Sequence, residues 1–274
     1  MDVDAFGATI RFSGGGTQLT WSDPPQPNSP TQQGDILARA IFQAFGGQND
    51  IAVGGNFQTD SNLFMGSLSH DHGLGGTATG RVEGFLNQPA DESAALRLLA
   101  VRSGVGGAVG GSIDAFYGRG AASWKSWSTR SGDLVGTGVL VSGEFGYRIP
   151  STYPDLRLRL QGSAQWNQLA SGIEQQGFSA LGVGPTGILP AQLTMIGLGV
   201  NAARFDAGPL RLSGDLWVGG MGPPIRPAFR AQLGISASLY RDGEMSLIGF
   251  AGNDNWTTGG TYGLGLSLTH FFSR

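Results

Sequence analysis

The sequence predicts an all-β fold in which antiparallel strands close into a transmembrane barrel. Three observations support this prediction: apolar and polar residues alternate with a period of two, the alternating segments are long, and the connections differ in length. A period of two places alternate side chains on opposite faces of a strand. A soluble β-sandwich also alternates, so the lengths and the connections must distinguish the two architectures.

The alternation is clearest in the last segment, TYGLGLSLTHFF at 261–272. Large apolar residues such as Leu264 and Leu266 fall on one face, and glycine and small polar residues fall on the other. Residues 139–149, 155–166, 210–218 and 229–240 repeat this pattern, with Arg, Asp and Gln on the polar face. Charged residues on that face suit a water-filled lumen, so we expect the apolar face to contact lipid.

The segments run to about 9–15 residues, and a tilted transmembrane strand needs roughly 9–11. Soluble strands are commonest at about 5 or 6 residues. Connections also alternate in the second half of the chain. Tight turns are predicted at 117–120, 205–208 and 240–244, and longer loops at 169–189, 219–227 and 251–260. Short periplasmic turns and longer outer loops are typical of outer-membrane barrels.

The sequence favours sixteen strands, an even number that places both chain ends in the periplasm. Two of the sixteen also fit helices. Leu37, Ile41 and Phe45 are spaced by four, and in ADESAALRLL acids precede an apolar stretch, as at a helix start. If both segments are helices, fourteen strands remain. The predicted strands are 4–13, 16–22, 35–45, 50–58, 61–70, 76–86, 94–103, 105–117, 120–129, 133–148, 154–168, 190–206, 209–219, 226–240, 243–252 and 258–272.

Composition excludes several other classes of protein. Glycine accounts for 48 of 274 residues, but 40% of residues are hydrophobic, which argues against disorder. No apolar run approaches the length of a transmembrane helix. Cysteine is absent, so disulfides and thiolate metal sites are impossible. The net charge of −3 does not suggest a nucleic-acid partner.

The motifs predict no catalytic site, no metal and no cofactor. GVGPTG at 182–187 has the Gly-x-Gly-x-x-Gly spacing, but that motif binds a dinucleotide only between a strand and a helix, and Pro185 interrupts it. His70 and His72 flank Asp71 in a glycine-rich stretch, which more often forms a solvated loop than a metal site. No Gly-x-Ser-x-Gly is present.

The charged residues are more informative about function. Predicted pore-lining residues on the polar faces are Arg11, Arg81, Glu83, Arg97, Asp114, Glu144, Arg148, Arg157, Arg159, Arg211, Asp215, Trp217 and Arg230. The periplasmic turns are predicted to form an acidic rim of Asp91, Glu92, Asp206, Asp242 and Glu244. Trp217, Tyr240 and Phe271 are expected to offer flat faces to sugar rings. The alternative is structural, because turns favour Asp and barrels contain internal ion pairs.

Two stretches carry a family resemblance: 80–118, and GEFGYRIPSTYPDLRLRLQGSAQW at 143–166. They resemble the C-terminal barrel of PelB-type proteins, which export the Pel exopolysaccharide across the outer membrane of biofilm-forming Gram-negative bacteria. The most specific part is the Tyr-Pro-Asp turn at 153–155, followed by alternating Leu and Arg.

The resemblance implies that residues 1–274 are one barrel domain, the C-terminal part of a longer protein with periplasmic helical repeats. The residues after Met1 are not a secretory signal, which fits a fragment of a precursor. The resemblance also implies a ring-forming periplasmic lipoprotein, PelC, as a partner and a cationic amino-sugar polymer as the cargo. An acidic rim suits such a polymer, whereas a basic lumen suits an anionic one. A porin for small charged or sugar solutes is the alternative function, and a barrel enzyme is a third.

Overall fold

The computed structural model describes residues 8–19, 32–58, 61–90, 92–150, 155–172, 185–207, 209–240, 243–253 and 261–272. They form fourteen long strands and two short helices. In chain order these are β1 (Ala8–Leu19), β2 (Gln32–Ala44), β3 (Gly47–Gln58), β4 (Ser61–Gly75), β5 (Ala78–Pro89), α1 (Ala94–Leu99), β6 (Ala100–Ile113), β7 (Phe116–Thr129), β8 (Leu134–Arg148), β9 (Leu156–Leu169), α2 (Pro185–Ile188), β10 (Gln192–Ala207), β11 (Leu210–Gly222), β12 (Arg226–Tyr240), β13 (Gly243–Gly252) and β14 (Thr261–Phe272).

The strands form a closed antiparallel barrel. Each strand pairs with its sequence neighbours, and β1 pairs with β14 from Ala8 opposite Phe272 to Leu19 opposite Thr261. Closure leaves no unpaired sheet edge, which a strand protein needs inside a bilayer. The predicted fold class is therefore confirmed.

The strand count is fourteen, the lower of the two predicted numbers, and it arises differently from the way the sequence suggested. Residues 35–44 belong to β2, because backbone pairing with β1 and β3 outweighs their helical spacing, and Phe45 lies in the turn that follows. The helix signal at 94–99 is confirmed as α1, whose start is capped by Ser93 Oγ accepting a hydrogen bond from the backbone N–H of Leu96. The two strands predicted within 4–22 are one strand, β1.

The two ends of the barrel differ. One end, here called the terminal end, holds the start of β1, the end of β14 and the described connecting residues 45–46, 76–77, 114–115, 149–150, 155 and 209. The opposite end, here called the loop end, holds the end of β1, the start of β14 and the described connecting residues 90, 92–99, 130–133, 170–172, 185–191, 223–225 and 253. Residues 117–120, predicted as a turn, lie within β7. The turn is at Asp114 and Ala115, where Asp114 has a φ of 54°.

The outer face is predominantly apolar, and two of its polar side chains, His70 and His270, lie near the terminal end. Leu158, Leu160, Leu264 and Leu266 are exposed there, as the alternation predicted. Their neighbours in sequence, such as Arg159 and Gly265, point to the other face. The outer surface thus has the composition of a lipid-facing wall.

No helix in the described ranges is long and apolar enough to cross a membrane. The helices α1 and α2 instead contribute to a buried apolar cluster at the loop end. Leu96 of α1, Ile188 of α2, Trp127 of β7 and Val135 of β8 are all fully buried there. Trp127 shares its face of β7 with Lys125 and Arg119, so the cluster lies on the inner side of the wall.

Candidate functional site: the barrel lumen

Contacts between strands that are not neighbours identify the inner face. Arg159 on β9 donates a hydrogen bond to Asp215 on β11 at 2.7 Å, and Arg211 on β11 donates to Glu244 on β13 at 2.8 Å. Arg130, which follows β7, donates to Asn56 on β3. Because β7 and β3 are four strands apart around the barrel, this last contact must cross the barrel interior. Strand register then assigns the face of every other position.

The structure places most of the predicted pore-lining residues on this inner face. Arg148 is also inward in register, and it lies at the terminal end beside Asp155. The inner-face residues of the predicted set are Arg11, Arg81, Glu83, Glu144, Arg148, Arg157, Arg159, Arg211, Asp215, Trp217 and Arg230.

Two predicted lumen residues require correction. Asp114 is in the turn between β6 and β7 and so does not line the wall, because β6 ends earlier than the alternation suggested. Tyr240 lies on the outer side, where its hydroxyl is 3.0 Å from Nδ1 of His270, because a bulge after Ser238 shifts the register. Arg97 lies in α1, and its side chain and that of Phe271 are outside the described part of the structure.

The His70-Asp71-His72 segment is in β4 and is not a loop. Asp71 points inward and accepts a hydrogen bond from Arg81 at 2.9 Å. His70 points outward, with Nδ1 3.1 Å from Oδ1 of Asn49. Adjacent residues of a strand face opposite sides of the sheet, so these three side chains do not converge.

The predicted acidic rim is not a single ring. Glu244 is at the terminal end, as is the backbone of Asp206, whose side chain lies outside the described residues. Asp91 and Asp242 are also outside them. Glu92 follows β5 at the loop end, opposite Glu244, which corrects its assignment to the periplasmic turns. The error arose because α1 replaces a predicted strand, and one strand more or fewer reverses the end assigned to each turn.

The inner charges are largely matched in sign. Asp50 and Asp71, which the sequence analysis did not place in the lumen, pair there with Arg39 and Arg81. At the terminal end a hydrogen bond from Arg157 lowers the pKa of Asp155. The inner ion pairs are Arg39–Asp50, Arg81–Asp71, Arg81–Glu83, Arg102–Glu92, Lys125–Glu92, Arg148–Asp155, Arg157–Asp155, Arg159–Asp215 and Arg211–Glu244. The strongly basic wall predicted from sequence is therefore closer to balanced.

Glu92 is the most enclosed of these acids, with 5% of its area exposed. It accepts hydrogen bonds from Lys125 Nζ at 2.9 Å, Arg102 at 3.2 Å and the Trp127 indole N–H at 2.9 Å. Burial alone would raise the pKa of Glu92. The charges of Arg102 and Lys125 and the hydrogen bonds from Lys125 and Trp127 outweigh burial and hold the pKa at about 2.

The two helices constrict the lumen at the loop end. Ser93 Oγ, beside α1, donates a hydrogen bond of 2.6 Å to the carbonyl of Ile188 in α2. Asn167 on β9 donates one of 2.7 Å to the carbonyl of Pro190. The sequence predicts a long loop at 169–189. Ile188 and Leu189 are buried there, whereas residues 173–184 lie outside the described part.

A cavity of about 300 Å³ borders this constriction on the inner wall. Polar side chains of β8 and β9, including Gln161 and Gln165, line one side. Met195, Trp217 and Arg230, from β10 to β12, line the other, and Glu92 and Arg102 complete it. The alternation places Trp217 and Arg230 in the lumen, but no signal in the sequence joins them to Glu92.

A closed antiparallel barrel with an apolar exterior and a charged, polar interior defines a bacterial outer-membrane β-barrel protein. Residues 7–271 match the family described as PelB, C-terminal beta barrel domain. The chain therefore belongs to this family.

Solved structures show the same fold. A bacterial polysaccharide outer membrane secretin is similar over 97% of this chain and 98% of its own, with 10% identity and a TM-score of 0.61. The P. putida toluene transporter TodX is similar over 98% and 91%, with 10% identity and a TM-score of 0.51. A TodX deltaS2S3 mutant monoaromatic hydrocarbon channel covers 97% and 91%, with 10% identity and a TM-score of 0.53. A comparison with curated proteins gave no match.

Proposed function

We propose that this barrel is the outer-membrane channel through which a Pel-type exopolysaccharide, an amino-sugar polymer, passes from the periplasm to the cell surface. The observation that carries the proposal is the family match over residues 7–271. The polar inner wall supports it, because hydroxyl-rich polymers need hydrogen-bonding partners where they leave bulk water.

The terminal end faces the periplasm in this proposal, because short turns mark the periplasmic side of outer-membrane barrels. Polymer then enters past Glu244, Arg148 and Asp155 and leaves past α1 and α2. A helical-repeat scaffold on the same precursor and a PelC-like lipoprotein ring deliver the polymer to the terminal end. The barrel guides the polymer and performs no catalysis.

The near balance of inner charges bears on the cargo. A lumen lined only by arginines would repel a cationic polymer, whereas Arg159 paired with Asp215 and Arg211 paired with Glu244 present both signs. The conflict between a basic lumen and a cationic cargo is thereby reduced.

The test is polymer secretion by a producing strain that lacks the barrel-coding region, with and without the barrel restored on its native precursor. We expect secreted polymer to disappear on deletion, to accumulate in the periplasm and to return on restoration. Unchanged secretion by the deletion strain would contradict the proposal.

A porin for small solutes is the second candidate, favoured by the inward constriction, since porins also narrow their lumen with an inward segment. Liposome swelling separates the two. A porin admits monosaccharides at rates set by their size. An export channel narrowed at the loop end by α1 and α2 admits them slowly until that narrowing is removed.

A further inference from the structure

A second cavity, of about 270 Å³, lies on the inner wall between the terminal end and the constriction. Its floor is formed by Ala108, Ala121 and Ser142, which are neighbours in register on β6, β7 and β8. These short side chains leave a recess among longer ones. Arg119 and Glu144 border the recess on the side of the terminal end. Arg119 is exposed, so a solute in the lumen can reach it.

The two charged residues at the edge of the recess leave hydrogen-bonding capacity unused. Arg119 and Glu144 are directly opposite in the register of β7 and β8, yet they form no ion pair with each other. Within the described ranges, Arg119 makes no hydrogen bond or ion pair at all. The Glu144 carboxylate interacts with the Tyr117 hydroxyl instead. By contrast, the inner-face residues Arg81 and Arg159 each have a carboxylate partner.

The charges around the recess favour a neutral ligand. Arg81 and Glu83 border it from β5, and they are already paired with each other at 3.1 Å. A cation in the recess would meet Arg119, and an anion would meet Glu144. A ligand with several hydroxyls can accept from the guanidinium and donate to the carboxylate at the same time. Hydrogen bonds to charged groups are the stronger kind, so both contacts would contribute to affinity.

Stacking on Trp217, which the sequence analysis expected, does not occur on this wall. Trp217 has 1% of its area exposed and packs with Met195 and Met221 in a buried cluster. It therefore cannot offer a flat face to a sugar ring. Arg119 and Glu144 are accessible from the lumen, so polar contacts remain available where stacking on Trp217 is not.

We propose that this recess is a binding subsite for one neutral, hydroxyl-bearing sugar ring, in which Arg119 donates to a sugar oxygen and Glu144 accepts from a neighbouring sugar hydroxyl. The inference rests on the proposed export function and deepens it. It places one contact of the polymer on β7 and β8, between the terminal end and the constriction. Both residues contact the sugar directly.

The first test places a thiol on the floor of the recess. Ala121→Cys is made in the complete chain in detergent micelles, and the probe is the tetramer of N-acetylglucosamine. A bound sugar covers the thiol, so labelling should slow about tenfold when the tetramer is at about ten times its dissociation constant. The control is Ser13→Cys on the inner face of β1, six strands away around the barrel, where labelling should not change. No slowing at Ala121→Cys, or equal slowing at both positions, would overturn the inference.

Two substitutions test the named contacts. Arg119→Met and Glu144→Met roughly keep the side-chain length and remove the polar groups. Each should weaken tetramer binding, measured by calorimetry, at least about tenfold, the usual effect of losing a hydrogen bond to a charged group. The matched control is Arg11→Met on the inner face of β1, which should leave binding unchanged. Wild-type affinity in both Arg119→Met and Glu144→Met would contradict the proposal.

The labelling test needs neither of these substitutions, so it decides even where one of the two variants fails to fold. Polymer secretion separates failure of the subsite from failure of the export function. If the restored wild-type barrel secretes polymer while the tetramer does not protect Ala121→Cys, only the subsite is wrong. If the wild-type barrel restores no secretion, the export function is wrong whatever the tetramer does.

Discussion

At the scale of single residues, Glu92 is the charge on which the loop end depends most. It lies between β5 and α1 and accepts hydrogen bonds from three donors on β6 and β7 of the inner wall. A buried carboxylate is tolerated only with such compensation. Removing its charge leaves Lys125 and Arg102 without their shared acid.

Glu92→Gln should therefore destabilise the folded barrel by about 3 kcal/mol, the usual effect of breaking one side of a buried ion pair. Urea unfolding in detergent micelles measures this change. Glu83→Gln is the matched control, because Glu83 pairs with Arg81 at a more exposed site and should lose less than about 1 kcal/mol. Equal losses of stability in the two variants would mean that the buried ion pairs of Glu92 stabilise the fold no more than the exposed pair of Glu83.

The pH dependence of stability follows from the same group. The folded pKa of Glu92 is about 2, below its ordinary value of 4.5, so the carboxylate stabilises the fold above about pH 4.5. That contribution is lost as the pH falls from 4.5 towards 2. The stability difference between wild type and Glu92→Gln should be constant near neutral pH and shrink over this interval. A difference that stayed constant to pH 2 would contradict the assignment.

At the scale of elements, consecutive residues of each strand face opposite sides of the barrel wall, one toward the lumen and the next toward lipid. Ala121 and Ala122 on β7 face inward and outward, respectively. The chain has no cysteine, so one introduced thiol is the sole reactive site. With a membrane-impermeant thiol reagent on outer-membrane vesicles, Ala121→Cys should label and Ala122→Cys should not. The reverse pattern would invert the facing of β7.

The lipid face gives a second test for β9. Leu158 is exposed on the outer wall, and an arginine near the bilayer midplane costs about 2–4 kcal/mol. Leu158→Arg should reduce the folded fraction in vesicles, as judged by heat-modifiable gel mobility. Gln161→Arg, on the inner face of the same strand, should fold normally. If Leu158→Arg folded normally and Gln161→Arg did not, Leu158 would not contact lipid.

The sequence was most informative about the strands and least informative about the helices and contacts inside the barrel. Alternation identified the outer face of β9 and β14 because it is a local property with period two. The contact of Ser93 with Ile188 spans 95 positions, and no local pattern encodes it. Glu92 was misplaced because an end is assigned by counting strands, and that count depends on α1.

At the scale of the whole molecule, the closed barrel is open to water along its inner wall but narrowed at the loop end. Replacing residues 92–99 with a flexible linker removes α1 and its contacts with α2. We expect single-channel conductance in planar bilayers to rise at least about twofold, because a narrow segment dominates the resistance of a pore. Unchanged conductance would place the narrowest point elsewhere.

The ion pairs of the lumen also bear on how a polymer would move along the inner wall of the barrel. Arg159 with Asp215 and Arg211 with Glu244 place opposite charges side by side across alternate strands. In the proposed export function, a passing polymer exchanges one paired charge for another of the same kind further along the wall, so we expect each step to cross only a small barrier. Unpaired charges of one sign would instead hold the polymer in deep wells. In the proposed export function we therefore expect the wall to resist sliding little, so that the points where polymer enters and leaves limit the rate of transport.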